Sequence, residues 1–296
     1  MKCLLGAIAV AGLTASFAQA QAVKVDAGIV GYQKTSGVSG NINSVGSDTM
    51  NNLMALWGET FQKMYPNVKI QIEGKGSSTA PPALIAGSAQ FGPMSRAMKA
   101  TEIDQFEKKY GYKPLQIRTC FDALAVYVSK DNPLDKLTLE QVDAIFSKTR
   151  KRAGKAVTTW GQLGLTGDWA NRPLSLYGRN SASGTYGFFK EHSLLNGDYK
   201  DTVKEQPGSA SVVQGVTEDR FGIGYSGIGY RTSGVKPLAL AEKDGGYYSN
   251  GSYEDVVSGK YPLNRYLYVY VNRAPGKPLD PMVKEFLKLV WQLHLR

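Results

Sequence analysis

The stretch Leu174-Ser175-Leu176-Tyr177-Gly178-Arg179-Asn180-Ser181-Ala182-Ser183-Gly184-Thr185 is the part of the chain that decides the fold prediction. Its first four residues are mostly apolar and favour a β-strand. The loop of small polar residues that follows is typical of a chain reversal, and 186–195 reads as a helix. A strand, a Gly/Ser loop and a helix in this order predict one β–α unit.

The same unit occurs three more times upstream. The predicted strands are Asn43–Val45, Val68–Ile72 and Ser88–Gly92, the loops are Gly46–Thr49, Gly74–Thr79 and Pro93–Arg96, and the helices are Met50–Met64, one opened by Pro81 and Pro82, and Ala100–Tyr110. Strands that alternate with helices favour an α/β fold with largely parallel sheets. The chain length suggests two domains.

Four further elements can be placed. Strands are predicted at Phe121–Val128 and Arg265–Val271, Thr138 with Gln141 forms a capping box, and Asp280 caps a final amphipathic helix. Periodicity of solenoid type is not found.

The first twenty residues have the pattern of an export signal, with cleavage predicted near Ala20. We expect residues 21–41 to form an extended leader. The rest of the chain carries no apolar run long enough to span a membrane. After cleavage the histidines number two and Cys120 is alone, which is too few ligands for zinc or haem, so we predict neither a metal nor another cofactor.

The formal charge of +10 favours acidic partners, although the excess can also serve solubility alone. The dense basic run at 148–152 reads as a solvated loop. Export also argues against nucleic acid as a partner.

The predicted helix starts are candidate anion sites, because a helix N-terminus offers unpaired N–H groups and a partial positive charge. The candidate donors in the loops are Ser47, Thr49, Ser77, Ser95, Ser183, Gly184 and Thr185. For a single loop, simple capping is the favoured explanation of such residues, and four loops in one chain shift the balance toward an anion. Arg179 can grip two oxygens of a tetrahedral anion, or lie in a surface ion pair. Arg96 is a weaker candidate that can also face solvent.

Asp48 is a carboxylate among donors. A phosphate that carries a proton can donate to it, whereas sulfate cannot, so Asp48 predicts selection of phosphate over sulfate. The alternative is an N-cap for the next helix.

With these residues identified, the sequence resembles the periplasmic phosphate-binding proteins of high-affinity phosphate ABC transporters, from about residue 43 to 291. The resemblance is carried by Val45–Met50, Gly76–Ser78, Phe91–Arg96 and Gly178–Thr185. It implies a type II periplasmic-binding-protein fold with mixed, mostly parallel sheets, a hinge and a ligand cleft between two α/β domains. The domains implied are 42–121 with 263–296, and 122–262.

The resemblance places Thr49 and Met50 in the first binding loop, Ser77 in the second, and Arg179, Ser183, Gly184 and Thr185 in the loop of the second domain. It also implies inorganic phosphate as ligand, an inner-membrane ABC permease as partner, and a periplasmic, monomeric protein without catalysis. The chain ends close after the final predicted helix, which suggests a C-terminus that is shorter than in the family.

The third loop departs from that family, which has a proton-accepting aspartate where this chain has Ser95-Arg96. Asp48 is the candidate replacement. The aspartate that often accompanies the second-domain arginine is replaced by Ser181. A receptor for sulfate or molybdate therefore stays an alternative. An enzyme such as a phosphatase is less favoured, because His192 and His294 are the only histidine bases and no nucleophile elbow or phosphate-binding P-loop is present.

Overall fold

A computed structural model describes residues 31–152 and 154–294 of the chain. The predicted export signal, its cleavage site and the first part of the leader lie outside the described residues.

The described chain alternates strands and helices, as the sequence predicts. The strands are β1 Gly40–Val45, β2 Val68–Glu73, β3 Gly92–Met94, β4 Leu115–Ser129, β5 Lys136–Thr138, β6 Ser175–Arg179, β7 Lys204–Gln206, β8 Gly222–Gly227, β9 Val235–Pro237, β10 Ala239–Ala241 and β11 Asn264–Val271. The α-helices are α1 Asn51–Met64, α2 Ala80–Ala86, α3 Ala100–Tyr110, α4 Leu139–Phe146, α5 Gly184–His192, α6 Ser209–Glu218, α7 Tyr253–Val257 and α8 Pro281–His294.

Several predicted helix ends are confirmed by their hydrogen bonds. Thr138 Oγ1 accepts from the Gln141 N–H, and the Gln141 side chain accepts from the Thr138 N–H, which completes the capping box of α4. Asp280 caps α8 by accepting the N–H groups of Met282 and Val283. Each cap satisfies donors that the first helical turn leaves without an intrahelical partner.

The sheets are mixed, and the predicted α/β fold is confirmed. Strands β3, β11, β4, β8, β6 and β7 lie side by side in one large sheet, and β9 adds to β4. The pairs β1–β2, β5–β10, β6–β7 and β6–β8 are parallel, whereas β4 is antiparallel to β8, β9 and β11, and β11 is antiparallel to β3. The sheets are therefore less parallel than predicted, because the chain leaves along β4 and returns along β11 in the opposite direction.

Strand β4 connects two regions of packed side chains. Its first part pairs with β11, and its second part pairs with β8. On the β11 side, the core includes Trp57 and Phe61 of α1 and Phe286 of α8. On the β8 side, Phe189 of α5 stacks on Tyr225 with ring centroids 3.8 Å apart. Each large buried side chain contributes about 1.5–3 kcal/mol.

The division into two domains, 42–121 with 263–296 and 122–262, stays a prediction. Within the described ranges, no helix combines the length and apolar character that a membrane span requires.

Candidate anion-binding site

Four hydroxyl side chains from separate loops meet in the interior. Thr49 Oγ1 lies 2.7 Å from Thr185 Oγ1, and Thr185 Oγ1 donates to Ser95 Oγ at 3.3 Å. Ser77 Oγ lies 3.2 Å from Ser95 Oγ and accepts the Ser95 N–H at 3.0 Å. Ser77, Ser95 and Thr185 are completely buried, and Thr49 is nearly so. We call these four residues the hydroxyl cluster.

Glycines let the loops approach this closely. A Cβ at Gly184 would lie 2.3 Å from Ser77 Oγ and 2.7 Å from Ser95 Oγ, which is closer than atoms can pack. Gly76 has φ of +114°, in a region that L side chains avoid, and a Cβ there would lie 2.5 Å from the carbonyl oxygen of Ala182. The loop before α2 and the loop before α5 are therefore in direct contact, and Ser78 N–H donates to that same carbonyl.

Ser183 forms the start of α5. Its Oγ accepts the N–H groups of Thr185 and Tyr186, at 3.1 and 3.3 Å. The capping role that the sequence left open is therefore present at this loop. The hydroxyl keeps its own hydrogen to donate, so capping does not exclude a contact with an anion.

Arg179 is buried, with 1% of its surface exposed, so it is not in a surface ion pair. It is the last residue of β6, whereas the sequence predicted it in the following loop. Nη1 donates to Ser209 Oγ at 2.8 Å and lies 3.1 Å from Asp48 Oδ2, and Nη2 donates to the Pro207 carbonyl at 3.0 Å. Its buried Nε has no hydrogen-bond partner among the described residues. A buried donor of this kind favours an acceptor nearby.

Burial lowers the pKa of Arg179, and the neighbouring Asp48 carboxylate acts in the opposite direction. Guanidinium groups stay protonated in proteins, so the positive charge persists in the interior.

Asp48 does not cap α1, whose N-cap residue is Met50. Its carboxylate oxygen Oδ2 instead pairs with Arg179 and also accepts the Ser209 N–H at 2.7 Å. That N–H belongs to the first residue of α6, where the helix dipole favours a negative charge. Asp48 therefore supplies the ion-pair partner of Arg179 that the sequence comparison found missing at Ser181.

The remaining predicted residues lie around this centre. Ser47 is buried, and its N–H donates to the Pro93 carbonyl at 2.8 Å, joining the first and third loops. The Met50 side chain packs in the core beside α8, so only its backbone belongs to the loop. Arg96 forms a two-pronged ion pair with Glu102, at 2.8 and 2.7 Å, and so does not join the hydroxyl cluster.

Sequence reasoning missed three side chains that contact the site residues. Tyr230 donates to the Asp48 carbonyl at 2.8 Å, and burial raises its pKa to about 12. Ser209 follows Gly208 at the start of α6, so it repeats the Gly/Ser loop pattern and could have been found. Arg265 donates to Thr185 Oγ1 at 3.1 Å. In the sequence, Arg265 begins a strand that is recognised by its alternating tyrosines, and this pattern does not predict a contact with Thr185.

A cleft of about 790 Å³ opens beside the hydroxyl cluster. Its walls include Ser78 and Arg96 on one side, Ser183 on the other, and Arg265. The four residues of the hydroxyl cluster and Arg179 are not among the residues that line it. Among the described residues, no group of three or more His, Cys, Asp or Glu side chains is arranged to hold a metal.

The family model for the PBP superfamily domain matches residues 32–291. Among curated proteins, the chain is 59% identical over 267 residues to the phosphate-binding protein PstS of Pseudomonas aeruginosa, covering 90% of this chain and 83% of that protein. It is 28% identical to the protein SphX of Synechococcus elongatus, covering 88% of this chain and 76% of that protein.

Two solved structures share the fold. A putative phosphate ABC transporter substrate-binding protein with bound phosphate from Clostridium perfringens superposes with a TM-score of 0.70 at 22% identity, covering 85% of this chain and 93% of that one. An ABC-type phosphate transport receptor from Vibrio cholerae gives a TM-score of 0.63 at 21% identity, covering 84% and 93%.

Proposed function

Because the chain belongs to the phosphate-binding protein family within the PBP superfamily, we propose that it captures inorganic phosphate and delivers it to an ABC permease. The observation that carries this proposal is the buried hydroxyl cluster, Thr49, Ser77, Ser95 and Thr185. It is joined by the buried Arg179 with its unpartnered Nε, which pairs with Asp48, the chain neighbour of Thr49. Hydroxyl and guanidinium N–H donors are the groups that replace the hydration shell of an oxyanion.

The charges of the site support a small anion held mainly by neutral donors. Arg179 pairs with Asp48 and Arg265 pairs with Asp122, so the formal charges of these four side chains cancel. Binding would then exchange the hydrogen bonds among the hydroxyls for bonds to the oxyanion, assisted by the start of α5. Ser47, Ser183 and Gly184 complete the proposed set of contacts.

Phosphate is favoured over sulfate by the carboxylate of Asp48. Its contacts with Arg179 and Ser209 both use Oδ2, which leaves Oδ1 as the proposed acceptor for the phosphate proton. A sulfate has no proton to offer there. Arg96 is not in the proposed set, because Glu102 and the Ala97 carbonyl occupy its guanidinium.

The ligand is proposed to lie where the two domains, 42–121 with 263–296 and 122–262, meet. The bonds Thr49–Thr185, Asp48–Arg179 and Ser78–Ala182 all join these two parts of the chain. Opening about a hinge formed by β4 and β11 would separate these contacts and admit the anion, and closure would return the donors around it. A ligand that contacts both parts favours that closed arrangement.

The similar proteins are named as a phosphate-binding protein, a phosphate ABC transporter substrate-binding protein and a phosphate transport receptor, and we propose that this chain is likewise not an enzyme. We also propose a monomer in the periplasm, after cleavage near Ala20. A purified protein that steadily releases product from a chromogenic phosphoester would contradict the first of these proposals.

Isothermal calorimetry on protein stripped of phosphate tests the function directly. We expect saturable, tight phosphate binding and stabilisation against heat. A competition titration with sulfate, arsenate and molybdate then ranks the oxyanions. Absence of both heat and stabilisation with phosphate would overturn the proposal, and preference for another oxyanion would replace the ligand.

A further inference from the structure

Arg265 and Asp122 form a buried ion pair where β11 and β4 run side by side. The two residues are register partners in these antiparallel strands. Arg265 Nε and Nη2 lie 2.9 and 2.7 Å from Asp122 Oδ2, and the two side chains are 3% and 9% exposed. Neither residue is assigned a role by the anion-binding motifs.

The same guanidinium reaches both halves of the site. Nη1 donates to the carbonyl oxygen of Ser95 at 3.0 Å, which fixes the third loop. Nη2 donates to Thr185 Oγ1 at 3.1 Å, in the first turn of α5. The ring of Phe188 covers the guanidinium, with its centroid 5.3 Å from Cζ. One side chain therefore connects the crossing strands, the third loop and the helix that bears Thr185.

We propose that Arg265 is a positioning residue for phosphate, held in place by Asp122; this inference rests on the proposed function. Arg265 can donate hydrogen bonds but cannot accept them, so its bond to Thr185 occupies an acceptor site of that hydroxyl. The single hydroxyl hydrogen of Thr185 is then directed elsewhere, toward the cluster or an anion. Arg265 thus fixes Thr185 as a donor.

A purely structural role explains the pair less well. A buried ion pair is weak evidence for stability, because the cost of removing two charges from water offsets much of their attraction. Among the described residues, Arg265 donates four hydrogen bonds, of which two go to Asp122 and the other two to Ser95 and Thr185. The bonds to Ser95 and Thr185 hold the third loop and the start of α5, which both contribute donors to the proposed anion site.

The test compares the variants Arg265→Gln and Arg265→Gln/Asp122→Asn with the unchanged protein by phosphate calorimetry. The double variant removes both charges together, so Asp122 is not left as a lone buried charge if the single variant folds poorly. We expect phosphate affinity to fall by about tenfold or more in both variants, since hydrogen bonds that involve a charged group are among the stronger ones. Arg118→Ala removes an equal charge from an exposed site stacked on Tyr266 and serves as the control, with unchanged affinity expected.

The coupling between Arg265 and Thr185 in phosphate affinity is a measurement that a loss of stability alone would not change. In a Thr185→Val background, we expect Arg265→Gln to cost much less affinity than in the unchanged protein, because the hydroxyl that it positions is gone. We also expect the phosphate-to-sulfate ratio to stay constant in Arg265→Gln, because the lost contact serves either anion. Equal losses in both backgrounds, or unchanged affinity in folded Arg265→Gln, overturn this inference. Failure of the unchanged protein to bind phosphate instead overturns the proposed function.

Discussion

Asp48 Oδ2 lies 3.1 Å from Arg179 Nη1, so a carboxylate of the first binding loop pairs with the buried arginine at the end of β6. The two residues come from the parts of the chain that we propose as different domains. The pair therefore joins the two proposed domains at the proposed anion site. Its charge, its geometry and its neighbours lead to specific predictions.

Asp48→Asn keeps the side-chain size and removes the charge. We expect phosphate affinity to fall by about tenfold or more, because Arg179 loses its partner and the phosphate proton loses its acceptor. Rejection of sulfate should relax at the same time, as measured by competition titration. An unchanged phosphate-to-sulfate ratio would limit Asp48 to orienting Arg179.

Arg179→Ala should weaken phosphate binding more than Arg179→Lys, although both lose the planar two-oxygen grip. The lysine keeps a positive charge but has a single ammonium, so we expect it to recover only part of the loss. Calorimetry on both variants measures the difference. Arg118→Ala is the matched control for loss of a cation. Equal losses in Arg179→Ala and Arg118→Ala, with no loss in Arg179→Lys, would indicate a long-range charge effect instead.

Gly184→Ala tests the close contact of the loops. The added Cβ would lie 2.3 Å from Ser77 Oγ, and overpacking of this kind typically costs about 1–3 kcal/mol. We expect that cost to appear mainly as weaker phosphate binding, because the clash lies between the two proposed domains. Affinity and melting temperature should be measured together.

Gly187→Ala, on the same helix, provides the control. Its Cβ would meet Arg96 Cδ at 3.4 Å, an ordinary contact, and alanine is favoured over glycine in a helix by about 1 kcal/mol. Affinity should be unchanged and stability slightly raised. Similar losses of affinity at Gly184 and Gly187 would contradict the contact argument.

Lys200 gives a prediction for the pH dependence of stability. Its Nζ donates to the carbonyl oxygens of Ala144 and Val157, and burial lowers its pKa to about 8. Above about pH 8 the folded protein releases this proton while the unfolded chain still holds it, so this group makes the free energy of unfolding rise with pH. The rise should continue up to the ordinary lysine pKa.

Denaturant unfolding of the unchanged protein and Lys200→Met between about pH 7.5 and pH 9.5 isolates the effect. The stability of the unchanged protein relative to the variant should increase across that interval. Parallel curves for the two proteins would mean that Lys200 does not titrate there.

The sequence predicted most elements because they depend on local patterns. The helix at Ala100–Tyr110 has the predicted bounds, and Thr138 and Asp280 cap the predicted helices. At β6 the strand extends through Arg179, which moves this residue from the predicted loop into the sheet. The pairing of Arg179 with Gln206 of β7 decides that boundary, and this partner lies outside the local sequence pattern.

Many of the site residues were also predictable, since Gly, Ser and Thr at helix starts are recognisable from their neighbours along the chain. Their partners were not. The sequence made Arg96 a candidate for binding the anion, whereas Glu102 pairs with it. It gave no sign that Arg265 contacts Thr185.

The sequence by itself determined the β–α units, the donor-rich loops and the family, because periodicity and motifs are properties of neighbouring residues. Only the tertiary structure decided which loops meet, that Asp48 pairs with Arg179, and that Asp122 holds Arg265 beside Thr185. The physical reason is that a hydrogen bond or ion pair acts over about 3 Å. Such a distance between residues far apart in sequence is set by the packing of the whole chain.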